Sequence, residues 1–309
     1  MILKKLDTML TRSKVPIKAF KNRLLNKREP TVAFICLTNR CNLDCVYCFG
    51  DYHRRKGKDL ITEQWVKIID EFIKSGTRYI ILQGGEPLIR KDLGYLIGYI
   101  KRQKILCSLV TNGTLVRERI DEIKELRYLD FVCVSLDGSE ESNDLNRGSG
   151  SFKKIIEGVK LIKKIGLPVR INATLTRNNT DAIEYLLPLS RELGFMLDVC
   201  FLYSSVFGKS TKDLALDDSK MLNILKTLIK NKSEGYPVFF SDSTLEYALR
   251  WPVSYKKTYL KDEEIPKGFK PIKCYWGDFI GVLDADGMLY PCVPINEEFS
   301  PLNVLEVGF

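Results

Sequence analysis

Cys41-Asn42-Leu43-Asp44-Cys45-Val46-Tyr47-Cys48 packs three thiols into eight residues, separated by three residues and then by two. The stretch directly follows Thr31–Leu37, an apolar run that reads as a buried strand. Thiolates this close on one loop converge on a common centre, so the pattern points to a metal ion or a metal–sulfur cluster. Three ligand sets are open at this point. A tetrahedral zinc ion needs a fourth ligand, and His53, the one histidine of the chain, is within reach. A ferredoxin-type cluster needs a fourth cysteine and a different spacing. A 4Fe–4S cluster on three cysteines leaves one iron free to take another ligand.

The chain has 309 residues, 45% of them apolar, enough to bury a large core. Nine cysteines at this length are no disulfide framework, and Cys36, Cys107, Cys133 and Cys200 fall singly in apolar runs as buried core residues do. Lys4, Lys5, Asp7 and Arg12 interrupt the first apolar residues, so nothing here resembles a secretory signal, and no uncharged run reaches the roughly 18–20 residues that span a bilayer. These features predict a soluble protein of a reducing cytoplasm. The net charge of +9 suggests nucleic acid until it is located: residues 1–28 carry nine Lys/Arg and one acid, Asp7, which leaves +1 for the rest. The body is neutral and no nucleic-acid partner is expected.

That basic arm spaces Leu3, Leu6, Leu10, Ile17, Phe20 and Leu24 on a heptad-like stripe, with Pro16 predicted to break it into two short helices. The plain expectation is that the stripe packs on the body. The sharper one is peripheral contact of residues 1–28 with an anionic membrane, or docking to an acidic partner. From Thr31 the chain alternates apolar runs with helical patterns. Predicted strands are Thr31–Leu37, Tyr79–Gln83, Ile105–Val110, Phe131–Leu136, Val169–Leu175 and Leu197–Leu202. Helices are predicted near Glu63–Lys74, Asp92–Lys101, Arg117–Lys124, Phe152–Ile165, Asp181–Leu193 and Ser219–Lys230, with Thr62 and Thr114 as caps for the first and third. Six such units imply a parallel sheet curled by right-handed crossovers.

In a parallel βα fold, functional groups gather beyond the C-terminal ends of the strands. The unusual residues fall there in turn: the three cysteines after the first strand, Gln83-Gly84-Gly85-Glu86-Pro87 after the second, and Thr111-Asn112-Gly113 after the third. Ser135-Leu136-Asp137-Gly138 closes the fourth, Asn172 lies on the fifth and Tyr203 follows the sixth. A Gly-Gly step lets backbone approach a ligand closely and turn carbonyls towards an amine, with Glu86 adding negative charge.

The CxxxCxxC loop with Tyr47 before its last cysteine, together with the GGEP segment, resembles the radical S-adenosylmethionine (SAM) enzymes. The resemblance covers residues 31–203. It implies an α/β fold, a partial (β/α)6 TIM-like barrel, with a 4Fe–4S cluster on Cys41, Cys45 and Cys48. It implies that Gly84, Gly85, Glu86 and Pro87 contact the methionyl amine of SAM, with Thr111 and Asn112 beside them. Ser135 and Asp137 resemble the ribose-contacting positions, and Asn172 and Thr176 are weaker matches for further contacts. Asn143-Asp144-Leu145-Asn146-Arg147-Gly148, then Gly150-Ser151-Phe152, resembles a family stretch whose arginine faces the SAM carboxylate. Arg147 fits that role, while Asn143 stands where histidine is common. The implied chemistry is reductive cleavage of SAM to a 5′-deoxyadenosyl radical that abstracts hydrogen from substrate, with electrons from a flavodoxin- or ferredoxin-type partner. The competing reading from another class is a non-catalytic zinc-binding module on Cys41, Cys45, Cys48 and His53.

Cys274 precedes a hairpin pattern, Phe279–Leu283 and Met288–Tyr290 around Asp284-Ala285-Asp286-Gly287, and Cys292 follows five residues after Gly287. This resembles the start of a SPASM or twitch extension, which implies a second, auxiliary Fe–S cluster on Cys274 and Cys292. Two cysteines cannot fill such a site, so either this chain is part of a longer protein, the favoured expectation, or the auxiliary site is incomplete and the hairpin cysteines are an unliganded pair. The expected regions are a basic arm (1–30), the radical SAM core (31–204), a connecting helical region (205–273) and the start of the extension (274–309). Enzymes of that subgroup commonly modify peptides or proteins, which makes these the leading substrate class. A lipid or a small-molecule cofactor precursor is the alternative.

Overall fold

The computed structural model describes residues 2–202, 210–257, 259–292 and 300–308, with side chains from Ser13 onward. Tyr203 lies outside the described residues. Six strands, β1 (Val32–Cys36), β2 (Tyr79–Gln83), β3 (Leu106–Thr111), β4 (Phe131–Ser135), β5 (Val169–Thr174) and β6 (Met196–Cys200), pair in parallel and in sequence order. A long helix, α1 (Ile2–Leu24), precedes them. The crossovers carry α2 (Thr62–Lys74), α3 (Leu93–Arg102), α4 (Val116–Arg119), α5 (Glu140–Arg147), α6 (Ser151–Lys164) and α7 (Ala182–Leu193). Beyond β6 come α8 (Asp218–Ser233) and α9 (Asp242–Leu249), then β7 (Ile280–Leu283), β8 (Met288–Tyr290), β9 (Leu302–Asn303) and α10 (Val304–Val307).

The expected hairpin forms as β7 and β8, but it does not stand apart. β7 joins the sheet parallel to β1, Val32 opposite Ile280, giving the order β6-β5-β4-β3-β2-β1-β7-β8-β9. The two edges do not pair with each other, so the sheet stays open.

Period-two alternation separates its faces. Ala33, Ile35, Ile80, Leu82, Val134 and Ile171 are fully buried and cluster with Trp65 and Phe72 of α2 and Leu96 of α3. Each buried Ile, Leu, Val or Phe among them contributes about 1.5–3 kcal/mol, which holds the helices on that face. The alternate positions Gln83, Ser135, Asn172 and Asp198 are only partly buried, and Ser135, Asn172 and Asp198 sit side by side in register.

Four local expectations are corrected. α1 runs through Pro16 without a break. Proline removes one amide donor and crowds the carbonyl four residues back, but Pro16 is exposed and that side of the helix can turn to water. Ile61, not Thr62, is the N-cap of α2: its amide donates to Gln64 Oε1 at 3.0 Å, while Thr62 Oγ1 donates to Asp92 Oδ2 at 2.6 Å. Thr114 does not cap α4, whose N-cap is Leu115: its hydroxyl accepts from Asn42 Nδ2 at 2.9 Å and donates to Asn112 Oδ1 at 2.7 Å. The predicted helix 117–124 stops at Arg119, and a 3-10 turn follows at Lys124–Tyr128. Ile123, Leu126 and Leu129 are all buried, and their spacing of three matches the 3-10 period rather than 3.6.

Candidate active site

The loop after β1 carries Cys41, Cys45 and Cys48, all partly exposed and none in a disulfide. The ends of β2, β3 and β4 grip it. The amides of Gly85 and Glu86 donate to the carbonyls of Thr38 and Arg40, both at 2.9 Å. A Cβ on Gly85 would lie 2.1 Å from the Arg40 carbonyl oxygen, and one on Gly84 would lie 2.9 Å from that of Thr38. Gly84 also holds φ at 140°, which side chains rarely tolerate. The Gly-Gly step therefore lets the end of β2 meet the cysteine loop backbone to backbone. Among the described residues, no donor reaches the carbonyl oxygens of Gly84 and Gly85.

Glu86 is completely buried. Its Oε1 accepts from the Thr111 hydroxyl at 2.7 Å and the Leu88 amide at 2.9 Å, and its Oε2 from the Asn112 amide at 2.7 Å. Burial outweighs those donors and pushes the carboxyl up to about 7. Glu86 thus ties β2 to β3 and caps the short turn that Pro87 begins. Asn112 extends the tie, its Nδ2 donating to Asn42 Oδ1 at 2.9 Å.

Asp137 and Arg147 meet each other. The sequence reading has Arg147 facing a ligand carboxylate and Asp137 a ribose, but here the guanidinium fork closes on the carboxylate. Nε lies 2.9 Å from Oδ2 and Nη2 donates to Oδ1 at 3.0 Å, with relative exposures of 5% and 0%, so this is a core ion pair and not a surface one. The Tyr47 hydroxyl donates to Asp137 Oδ2 at 2.6 Å, and the Arg147 guanidinium stacks 5.4 Å from the Tyr47 ring centre. The aromatic inside the cysteine loop is therefore fixed by a charge pair from the fourth crossover.

That crossover holds what the sequence reading missed. α5 has no apolar periodicity, because its buried face is Ser142, Asn143, Asn146 and Arg147. Asn143 Oδ1 accepts from the Asp137 amide at 3.2 Å and Asn146 Nδ2 donates to Asp137 Oδ2 at 3.4 Å, so the first fixes the backbone of Asp137 and the second its carboxylate. Asp144 accepts from the Gly150 and Phe152 amides, closing the turn into α6. The one legible signal was Ser139, which caps α5. Thr176 is buried, its hydroxyl donating to Asn179 Oδ1 at 2.9 Å.

Ser135 and Asn172 behave differently. They face each other across β4 and β5, half-buried, and among the described residues neither side chain has a hydrogen-bond partner. Three thiols, two open carbonyls, a hydroxyl and an amide thus share one rim, a donor and acceptor set that fits an Fe–S cluster with a polar ligand beside it. A single ion fits less well. Among the described residues, no three His, Cys, Asp or Glu side chains gather as one metal ion requires, and His53 is exposed. Four ligands on one zinc crowd to about 2.0–2.3 Å from it, whereas a cubane carries each thiolate on a separate iron and tolerates a wider spread.

Cys274 is exposed and Cys292 partly so. They flank the open end of the β7–β8 hairpin, at the N-terminal edge of the sheet, with Gly277 packed on Pro291 between them. They are at the opposite end of the strands from the three-cysteine loop. A cavity of about 840 Å³, lined by Arg28, Arg78, Ile280 and Leu302 among others, lies at that same N-terminal edge and not at the rim.

Residues 35–187 match the Radical SAM superfamily. The chain is 33% identical over 219 residues to an Fe-coproporphyrin III synthase of Methanosarcina barkeri, a match covering 68% of this chain and 54% of that protein. It is 28% identical over 211 residues to the PqqA peptide cyclase of Granulibacter bethesdensis, covering 67% and 56%. The chain thus spans about half the length of these curated relatives. In fold it resembles SuiB of Streptococcus suis bound to S-adenosylmethionine, with a TM-score of 0.71 at 20% identity over 93% of this chain and 66% of that one. The shared architecture is the open partial barrel.

Proposed function

Because this chain belongs to the radical SAM superfamily of enzymes, with a 4Fe–4S cluster and S-adenosylmethionine as cofactors, we propose that Cys41, Cys45 and Cys48 hold the cluster and that Ser135, Asn172 and the carbonyls of Gly84 and Gly85 contact SAM. The observation that carries the assignment is selective openness. Glu86, Thr111, Asn112, Asp137 and Arg147 are closed by internal bonds, while the rim groups beside the thiols lack partners among the described residues. When bound, the cluster and SAM supply a 5′-deoxyadenosyl radical able to take hydrogen from an unactivated carbon. The chain's own part is positional. Glu86 and Pro87 set the Gly-Gly step, Thr111 and Asn112 anchor it to the cysteine loop, and Asp137 with Arg147 orients Tyr47. A flavodoxin- or ferredoxin-type reductant is the electron donor under this reading, and Cys274 and Cys292 are part of the ligand set of an auxiliary cluster.

We place a peptide or protein as substrate, supported by the relative named PqqA peptide cyclase. A second reading, a tetrapyrrole as small-molecule precursor, is favoured by the 33% identity to the Fe-coproporphyrin III synthase. Anaerobic reconstitution with iron and sulfide, followed by dithionite and SAM, should yield 5′-deoxyadenosine. Titration with SAM should show binding weakened about tenfold in Ser135→Ala and Asn172→Ala at unchanged iron content; unchanged affinity would remove those two contacts. Coproporphyrin III added to the same protein should leave its Soret band unshifted under the peptide reading. A saturable shift would move the assignment to the tetrapyrrole.

A further inference from the structure

α1 packs on the body with its polar side. Asn22 is 1% exposed, its Nδ2 donating to the Glu29 carbonyl at 3.0 Å and reaching Thr31 Oγ1 at 3.5 Å, and Lys18 pairs with Glu29. The opposite side carries Ile17, Phe20 and Leu24 at 62%, 69% and 73% exposure. Steps of three and four place these on one stripe, and the sequence repeats the spacing at Leu3, Leu6 and Leu10. Lys14 and Lys21, three residues before Ile17 and Leu24 respectively, border the stripe and are exposed, as are Arg23, Lys27 and Arg28. The expectation that the stripe packs inward is overturned for Ile17, Phe20 and Leu24, which face outward; the side chains of Leu3, Leu6 and Leu10 lie outside the described ones.

From this arrangement we infer that α1 is an interfacial helix which lays its apolar stripe on an anionic lipid surface. The charge pattern selects that occupant. Residues 1–28 hold nine bases and one acid, so a second copy of α1 would face like charges along the seam, where paired helices place opposite ones. A nucleic acid would satisfy the lysines and leave the apolar stripe in water. A bilayer with anionic headgroups takes both, the stripe at the acyl boundary and the lysines among the phosphates, their stems covering apolar surface. No described helix is long and apolar enough to cross a membrane, so α1 lies on the surface. Its contacts with Glu29 and Thr31 place it at the N-terminal end of β1, so the cysteine rim at the other end stays clear of the lipid.

The test uses the full chain and vesicles of phosphatidylcholine alone or mixed equally with phosphatidylglycerol, read by flotation. The wild type should float with the mixed vesicles, not with pure phosphatidylcholine, and should release at high salt. Phe20→Glu with Leu24→Glu, and separately Lys14→Glu with Lys21→Glu, should each lower the bound fraction at least tenfold. All four positions are exposed, so circular dichroism and the melting temperature should match the wild type. Absence of flotation, or equal flotation of wild type and Phe20→Glu/Leu24→Glu, would overturn the inference. So would concentration-dependent self-association without flotation that the same variant abolishes, since the stripe would then belong to a second copy. None of these readouts depends on SAM cleavage.

Discussion

The loop Cys41–Cys48 and the hairpin flanked by Cys274 and Cys292 both carry cysteines at metal-site spacings, and both adjoin β1's neighbourhood in one sheet. They are held in opposite ways. The loop is bonded from three strand ends, through Gly85 and Glu86, through Asn112, and through Asp137 to Tyr47. Among the described residues, the hairpin meets the same rim by its turn, where Asp284 pairs with Arg55 at 2.8 Å and the Leu60 amide donates to the Ala285 carbonyl. Its cysteines lie at the far end, Cys274 exposed and Cys292 partly so. The spacing of the cysteines is thus alike in kind, while the bonds around them differ: the loop is tied from three strand ends, the hairpin cysteines stand away from the rim.

The sharpest way to break this comparison is substitution of the thiols. Alanine at Cys41, Cys45 and Cys48 should abolish detectable 5′-deoxyadenosine and remove the cluster bound there. Alanine at Cys274 and Cys292 should leave that cluster's iron and sulfide intact, and loss of it in the second variant would erase the distinction.

Next in size is Arg147→Ala, which leaves Asp137 as an unpaired buried carboxylate and should cost about 3–5 kcal/mol in denaturant unfolding. Tyr47→Phe removes one hydrogen bond to the same carboxylate and should cost about 1.5–3 kcal/mol. Equal stability in both variants would show that the pair does not hold the loop.

Glu86 offers a pH test. Its carboxyl ionises near 7 when folded, against 4.5 when not. Between those values the folded state binds the extra proton, so stability is fullest below about 4.5 and falls as pH rises to about 7, by about 3 kcal/mol at most. Glu86→Gln should flatten that segment of the stability profile. A slope unchanged by the substitution would place the titration elsewhere.

The smallest effect is expected at the hairpin. Arg55→Ala should cost about 1.5–3 kcal/mol and speed amide exchange at Ala285, while exchange in the Cys41–Cys48 loop stays as it was. Faster exchange in both would mean that the two regions open as one unit.

The six βα units and the cysteine loop were legible because each is written in near neighbours: a five-residue apolar run, a 3.6-residue stripe, a three-and-two spacing of thiols. Reading failed where the period was not apolar or where capping was argued from residue type. α5 escaped because its inward residues are polar, and Thr62 was misjudged because its hydroxyl had a better partner in Asp92, thirty residues away. The strand-end residues Glu86, Ser135, Asp137 and Asn172 stood out in sequence, yet their hydrogen-bond partners did not. Which were closed and which open depended on pairs such as Tyr47 with Asp137, 90 residues apart.

Sequence alone thus determined the six alternating strands and helices, the parallel sheet they imply and the spacing of the thiols, since local pattern and right-handed crossover leave few alternatives, while the partial barrel followed from the family resemblance. Tertiary structure alone decided that β7 lies against β1, that Asp137 and Arg147 face each other, that Ser135 and Asn172 stay open, and that α1 turns Ile17, Phe20 and Leu24 outward. The physical reason is the same in each case. A polar or apolar group settles by the partners that packing brings within about 3 Å of it, and those partners come from distant parts of the chain that no local period encodes.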